Sequence, residues 1–134
     1  MEEEREEKME EEREENIWEM DISQPWFNFI IDEVKKKEVR KNSKSWRKVK
    51  VGDLIDIHEK DKTEFYRFKV VSVIKYGTIE ECLTIEGVEN LLPGIKNFDE
   101  GLEIYLSFDG PDKRDQRQRD YNQDGVIAIE LKRV

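Results

Sequence analysis

Between Phe65 and Tyr76 runs a segment, Phe65-Tyr66-Arg67-Phe68-Lys69-Val70-Val71-Ser72-Val73-Ile74-Lys75-Tyr76, dominated by β-branched and aromatic side chains. Such side chains lose rotamer freedom in a helix and pack well on a pleated surface. The run therefore predicts the longest strand of the chain and puts a sheet at the centre of the fold. Shorter strand patterns surround it. In Ile17-Trp18-Glu19-Met20-Asp21-Ile22, Trp18, Met20 and Ile22 alternate with the rest, which gives one apolar face. Residues 37–41, 54–57 and 125–131 also read as strands, the second opened by the Val51-Gly52-Asp53 turn.

Helices fall between these strands. Pro25 suits a first helical turn and opens a mostly apolar helix from Trp26 to Glu33. Thr78 with Glu81, and Asn97 with Glu100, have capping-box spacing, so helices are expected to about Glu86 and through Leu102, Tyr105, Leu106 and Phe108. Residues 109–122 read as a polar loop, with residues 113–119 a mobile part that can close over a polyanion. About five strands with short helices and no regular βαβ alternation indicate α+β, a small mixed β-barrel with short flanking helices.

Charge is segregated along the chain. Of the formal net charge of -9, residues 1–16 hold -7, from ten Glu against Arg5, Lys8 and Arg13, which leaves -2 for everything after them. This segment repeats an acidic octad and has almost nothing to bury, so a disordered, low-complexity tail over 1–16 and one domain over 17–134 are expected. Within the domain, residues 35–50 carry nine basic side chains against Glu38 alone. No run approaches the roughly 20 apolar residues of a membrane span. The N-terminus is acidic where a secretory signal is basic, so the cytosol is expected, with the nucleus as the alternative. Cys82 is a lone cysteine and His58 the one histidine, which excludes a disulfide within the chain and leaves no Cys/His cluster for a metal. No cofactor is expected, and the chain reads as a monomer. Phosphate-binding Gly-rich loops, the Gly-x-Ser-x-Gly elbow and paired metal-ligating histidines are all missing from the sequence.

The segment Glu33-Val34-Lys35-Lys36-Lys37-Glu38-Val39-Arg40 resembles the signature of the ASCH family, a PUA-like group, in which Gly-x-Lys-x-x-Glu-x-Arg links the first helix to a strand. Lys35, Glu38 and Arg40 match, and Glu33 stands in place of the glycine. Residues 46–55, 86–94 and 104–108, and the strand from Gly125 to Ile129, continue the resemblance in order. It implies a PUA-like barrel with a cleft beside the signature and association with RNA or modified nucleosides. Some relatives hydrolyse acetylcytidine with the signature Lys and a later Glu. Those relatives usually carry Thr where this chain has Glu38.

Two functions follow as expectations. The first is an RNA- or nucleotide-binding module with a cationic cleft formed by Lys35, Glu38, Arg40 and Ser107, steered by Trp46, Arg47 and Lys48. The second is an amidohydrolase acting on an acylated nucleoside, with Lys35 as amine and Glu89 as acid/base. A protein-interaction adaptor using the acidic tail is a third. Neighbouring cations can lower the Lys35 pKa, and Glu38 and Arg40 share a strand face where they can pair. Trp46 offers a stacking platform among cations, although Trp is more often core. Glu89 and Ser107 are equally readable as an ordinary loop carboxylate and a helix hydroxyl.

Overall fold

The computed structural model describes residues 17–134. The expectation of a disordered tail over 1–16 lies outside them. The chain forms β1 (Ile17–Ile22), α1 (Trp26–Ile31), β2 (Lys37–Lys41), a 3-10 turn (Trp46–Lys48), β3 (Leu54–Glu59) and β4 (Phe65–Tyr76). There follow α2 (Ile79–Glu86), α3 (Val88–Leu91), α4 (Phe98–Leu106), a second 3-10 turn (Pro111–Lys113), α5 (Arg114–Asp124) and β5 (Val126–Arg133).

The five strands make one curled half-barrel in the order β1-β3-β4-β5-β2, so the mixed α+β reading holds. β1 lies parallel to β3, with Trp18 opposite Ile55, and the other pairs are antiparallel. The long β4 is central, as its composition predicts. A break in register between Val70 and Ser72 lets it bend against β5. The concave face holds Ile55, Ile57, Phe68, Val70, Ile127 and Ile129, all buried, with Ile79, Leu83, Tyr105 and Leu106 of the helices packed among them.

Both capping readings are realised. Thr78 Oγ1 accepts the Glu81 amide at 3.1 Å while Glu81 Oε1 accepts the Gly77 amide at 3.0 Å. Asn97 Oδ1 accepts the Glu100 amide at 2.9 Å. Gly125 is demanded by its turn, since φ is +76° and a Cβ there would sit 2.4 Å from the Tyr76 carbonyl oxygen.

Some expectations need correction. α1 stops at Ile31, and Glu33 beyond it adopts φ 60°, a left-handed turn. β3 and β5 each run two residues further than expected, to Glu59 and Arg133. The polar segment after Phe108 is mainly helix rather than a mobile loop. It has no apolar stripe, but its Arg and Gln residues are good helix formers, Gln116 donates to Asp120 at 2.9 Å, and Arg117 Nε donates to Tyr121 at 2.8 Å. Tertiary anchors complete it, because Arg114 pairs with Glu103 of α4 and Tyr121 is buried.

A candidate functional site at the seam of the half-barrel

A five-stranded open sheet leaves two edges, here β1 and β2. Curling brings them face to face, and Arg40 of β2 spans the gap by donating from Nη2 to the Asp21 carbonyl at 2.8 Å. The same nitrogen donates to Glu38 Oε2 at 2.9 Å. The Arg40 guanidinium lies 6.0 Å from the Trp46 ring centroid, and Trp46 is stacked on Trp18 at 5.3 Å with 23° between planes. Trp18 is fixed in turn through Nε1, which donates to Asp53 at 2.9 Å.

Behind Arg40 sits Lys35, only 2% exposed. The left-handed turn at Glu33 swings the chain back after α1 and drives this lysine inward. Its Nζ donates to the carbonyls of Lys37 at 2.7 Å and Leu91 at 2.5 Å and pairs with Glu38 Oε1 at 3.3 Å. Three acceptors match the three donors of an ammonium. Burial pushes the Lys35 pKa below the ordinary lysine value; Glu38 opposes this, and Arg40 adds a smaller downward push. Neighbouring charge is thus a minor cause here, and Lys36 and Lys37 do not produce the effect.

These side chains form one end of a cleft of about 130 Å³. Its remaining walls are Asp21 and Ile22 at the end of β1, Ser23 beyond it, Trp26 of α1, Val39 of β2, Leu92, Phe108, Asp109, Arg117 of α5 and the exposed Lys60. Four cationic side chains, Lys35, Arg40, Lys60 and Arg117, therefore face three carboxylates, Asp21, Glu38 and Asp109. Arg40 Nε is buried and has no hydrogen-bond partner.

The structure brings Lys35, Glu38 and Arg40 together as expected. Trp46 supports Arg40 from outside the cleft lining, half-buried. Arg47 and Lys48 are exposed in the same 3-10 turn, with Arg47 donating to the Asn42 carbonyl at 3.1 Å. Glu89 is exposed in the first turn of α3, and Ser107 ends α4; neither lines the cleft. Their neighbours do so instead, through Leu92, Phe108 and Asp109. Trp26 and Phe108 escaped sequence reasoning because both read as core, and Arg117 belongs to the 113–119 segment that reads as a loop able to close over a polyanion.

Next to the site, Glu86 accepts from Lys37 at 2.6 Å and from the Tyr76 hydroxyl at 2.5 Å. Burial alone would raise the Glu86 pKa, but these hydrogen bonds outweigh it and the carboxyl is held below its ordinary value. Burial pushes the Cys82 thiol up to about 12, which makes it a core residue rather than a nucleophile. Among the described residues no group of three or more His, Cys, Asp or Glu is placed to hold a metal. No helix among them is long and apolar enough to cross a membrane.

A curled mixed sheet with a polar cleft at its edge seam defines a small α+β half-barrel domain. Residues 20–134 match the model of the ASCH domain, and the chain belongs to the ASCH family. Two solved structures share its fold. The crystal structure of hypothetical protein PH0355 is 31% identical, with a TM-score of 0.72, over 89% of this chain and 100% of that one. The solution structure of protein PF0455 from Pyrococcus furiosus is 28% identical, with a TM-score of 0.67, over 89% of this chain and 98% of that one. No curated protein matches the chain at a significant level.

Proposed function

We propose that the chain is an RNA-binding module that holds one nucleobase in the seam cleft. The observation that carries this reading is the Arg40 guanidinium paired with the Glu38 carboxylate in a cleft walled by Trp26 and Phe108. Each nucleobase presents an acceptor next to a donor on its pairing edge, and single-stranded RNA is read by stacking together with that edge. Glu38 accepts only from Lys35 and Arg40, which leaves lone pairs for an exocyclic amine. The cleft is also small. Pockets that enclose a drug-sized ligand occupy roughly 300–1,000 Å³, so about 130 Å³ suits a single heterocycle.

The amidohydrolase reading draws less support. Lys35 Nζ is occupied by the Lys37 and Leu91 carbonyls and the Glu38 carboxylate, and Glu89 lies outside the cleft. Titration of single-stranded RNA oligonucleotides tests the proposal against Arg40→Lys, which keeps the charge but loses the forked donor set. A loss of at least about tenfold is expected. The same preparations should leave N4-acetylcytidine intact. Equal affinity of Arg40→Lys and wild type, or turnover of the acylated nucleoside, would move the function away from base recognition.

A further inference from the structure

The cleft does not end at its own walls. Asp109 and Arg117 also line a second depression, of about 240 Å³, completed by Lys41, Lys113, Gln116, Asp120 and Tyr121. The partition between the two is the Arg117–Asp109 ion pair. Arg117 is held from three directions, by Asp109, by the Tyr121 hydroxyl at 2.8 Å, and by the Phe108 and Tyr121 rings at 5.9 and 5.0 Å. Its Nη2 makes no hydrogen bond among the described residues.

α5, which forms one wall of this groove, contributes little to the core, since Tyr121 is its one buried residue. A helix this polar is kept in place by arginine anchors, Arg114 on Glu103 and Arg117 on Asp109, rather than by an apolar face. Charge is distributed accordingly. Glu38 is neutralised by Lys35 and Arg40, and Asp109 by Arg117. Lys60, which lines the cleft alone, and Lys113, which lines the groove alone, are exposed and make no ion pair among the described residues.

We propose that the groove along α5 takes the sugar-phosphate backbone next to the base held in the cleft, so that the ligand is a single strand longer than one nucleotide. This rests on the base-binding reading above and extends it. Lys113 and the free edge of Arg117 supply cations for a phosphate, and Gln116 supplies a polar contact for a sugar hydroxyl. A free nucleoside leaves the groove empty, whereas a strand passing through fills both depressions.

The test uses the full chain with cytidine 5′-monophosphate and an oligocytidylate of about six nucleotides, within the range of known single-strand site sizes. The oligonucleotide should bind at least about tenfold tighter than the mononucleotide. Lys113→Glu should weaken the oligonucleotide about fivefold and lower its salt slope by about 0.7 or more, while leaving the mononucleotide unchanged. Lys96→Glu, an equal charge change on an exposed loop away from both depressions, should alter neither. If the oligonucleotide binds no tighter than the mononucleotide, or the two variants behave alike, the groove proposal is overturned while the cleft reading stands. If Lys113→Glu weakens the oligonucleotide but Arg40→Lys does not, the groove binds backbone and the base-in-cleft reading falls. Failure of both probes to bind overturns both.

Discussion

Replacing Lys35 with Met keeps most of the side-chain volume and removes the ammonium. Three contacts go at once: the Glu38 pair at 3.3 Å and the hydrogen bonds to the carbonyls of Lys37 and Leu91. Removing one partner of a buried pair costs roughly 3–5 kcal/mol, and each orphaned buried acceptor costs about 1–3 kcal/mol. Glu38 keeps Arg40 at 2.9 Å, which places the expected loss at the lower end, about 3 kcal/mol. Glu38→Gln alone strands the ammonium less severely, because the two carbonyls remain, and should cost about 2 kcal/mol. In the double variant neither charge is stranded, so its loss should fall short of the sum by about 1.5 kcal/mol or more. Urea unfolding followed by circular dichroism near pH 7 measures all four corners of the cycle, with unchanged m-values as the check on two-state behaviour. Losses that add to within about 0.5 kcal/mol would show that Lys35 and Glu38 do not act as a pair. A loss below about 1 kcal/mol for Lys35→Met would mean that the ammonium is not buried as described.

Other expectations concern single features. The folded-state pKa of Glu86 lies below its ordinary 4.5, so its stabilisation is fully present above that value and is lost as pH falls through the folded-state pKa. Glu86→Gln should therefore be less stable than wild type near pH 7 and should lose less stability between about pH 5 and pH 3; parallel acid profiles would refute the linkage. Glu33 holds φ 60°, which costs a non-glycine residue about 1–2 kcal/mol, so Glu33→Gly should raise stability by up to about 1 kcal/mol after the entropy penalty of glycine. A lower midpoint in urea would mean that the Glu33 side chain matters more than its backbone. Starting the chain at Asn16 should change stability by less than about 0.5 kcal/mol, because the removed residues offer almost nothing apolar to pack. The same truncation should tighten RNA binding at low salt by removing -7 of charge, and equal affinity would exclude competition by that segment.

What was legible in the sequence is what local rules dictate. β4 announced itself by β-branched and aromatic composition, α2 and α4 by their capping boxes, and β1 by alternation. Lys35, Glu38 and Arg40 were legible as a group because a short signature holds them within one turn and one strand. α5 was not, since its helix depends on Arg114 and Arg117 finding Glu103, Asp109 and Phe108, residues of other segments. The cleft walls escaped for a related reason. Trp26 and Phe108 look like core from their neighbours alone, and only the curl of the sheet decides that one face of each borders the cleft. Glu89 and Ser107 sit within a few residues of side chains that do line it, Leu92 and Phe108. A motif placed them near the site, but helix phase turned them away.

Arg40 shows why fold and site share one location. An edge strand must dispose of its unpaired backbone groups, and the curl of this sheet sets two edges opposite each other. One guanidinium bridges them through Asp21 while holding Glu38 and leaving Nε without a partner. A singly donating side chain in its place would satisfy the Asp21 carbonyl but release Glu38. Closing the seam by strand pairing would eliminate the cleft altogether. The five donors of arginine allow the seam to be closed and a polar contact to remain, and the buried Lys35 pairs with the Glu38 carboxylate beside it. A ligand that satisfies Nε should accordingly stabilise the seam as it binds. RNA at a given concentration should then raise the melting temperature of wild type more than that of Arg40→Lys, as mass action on a folded-state site requires.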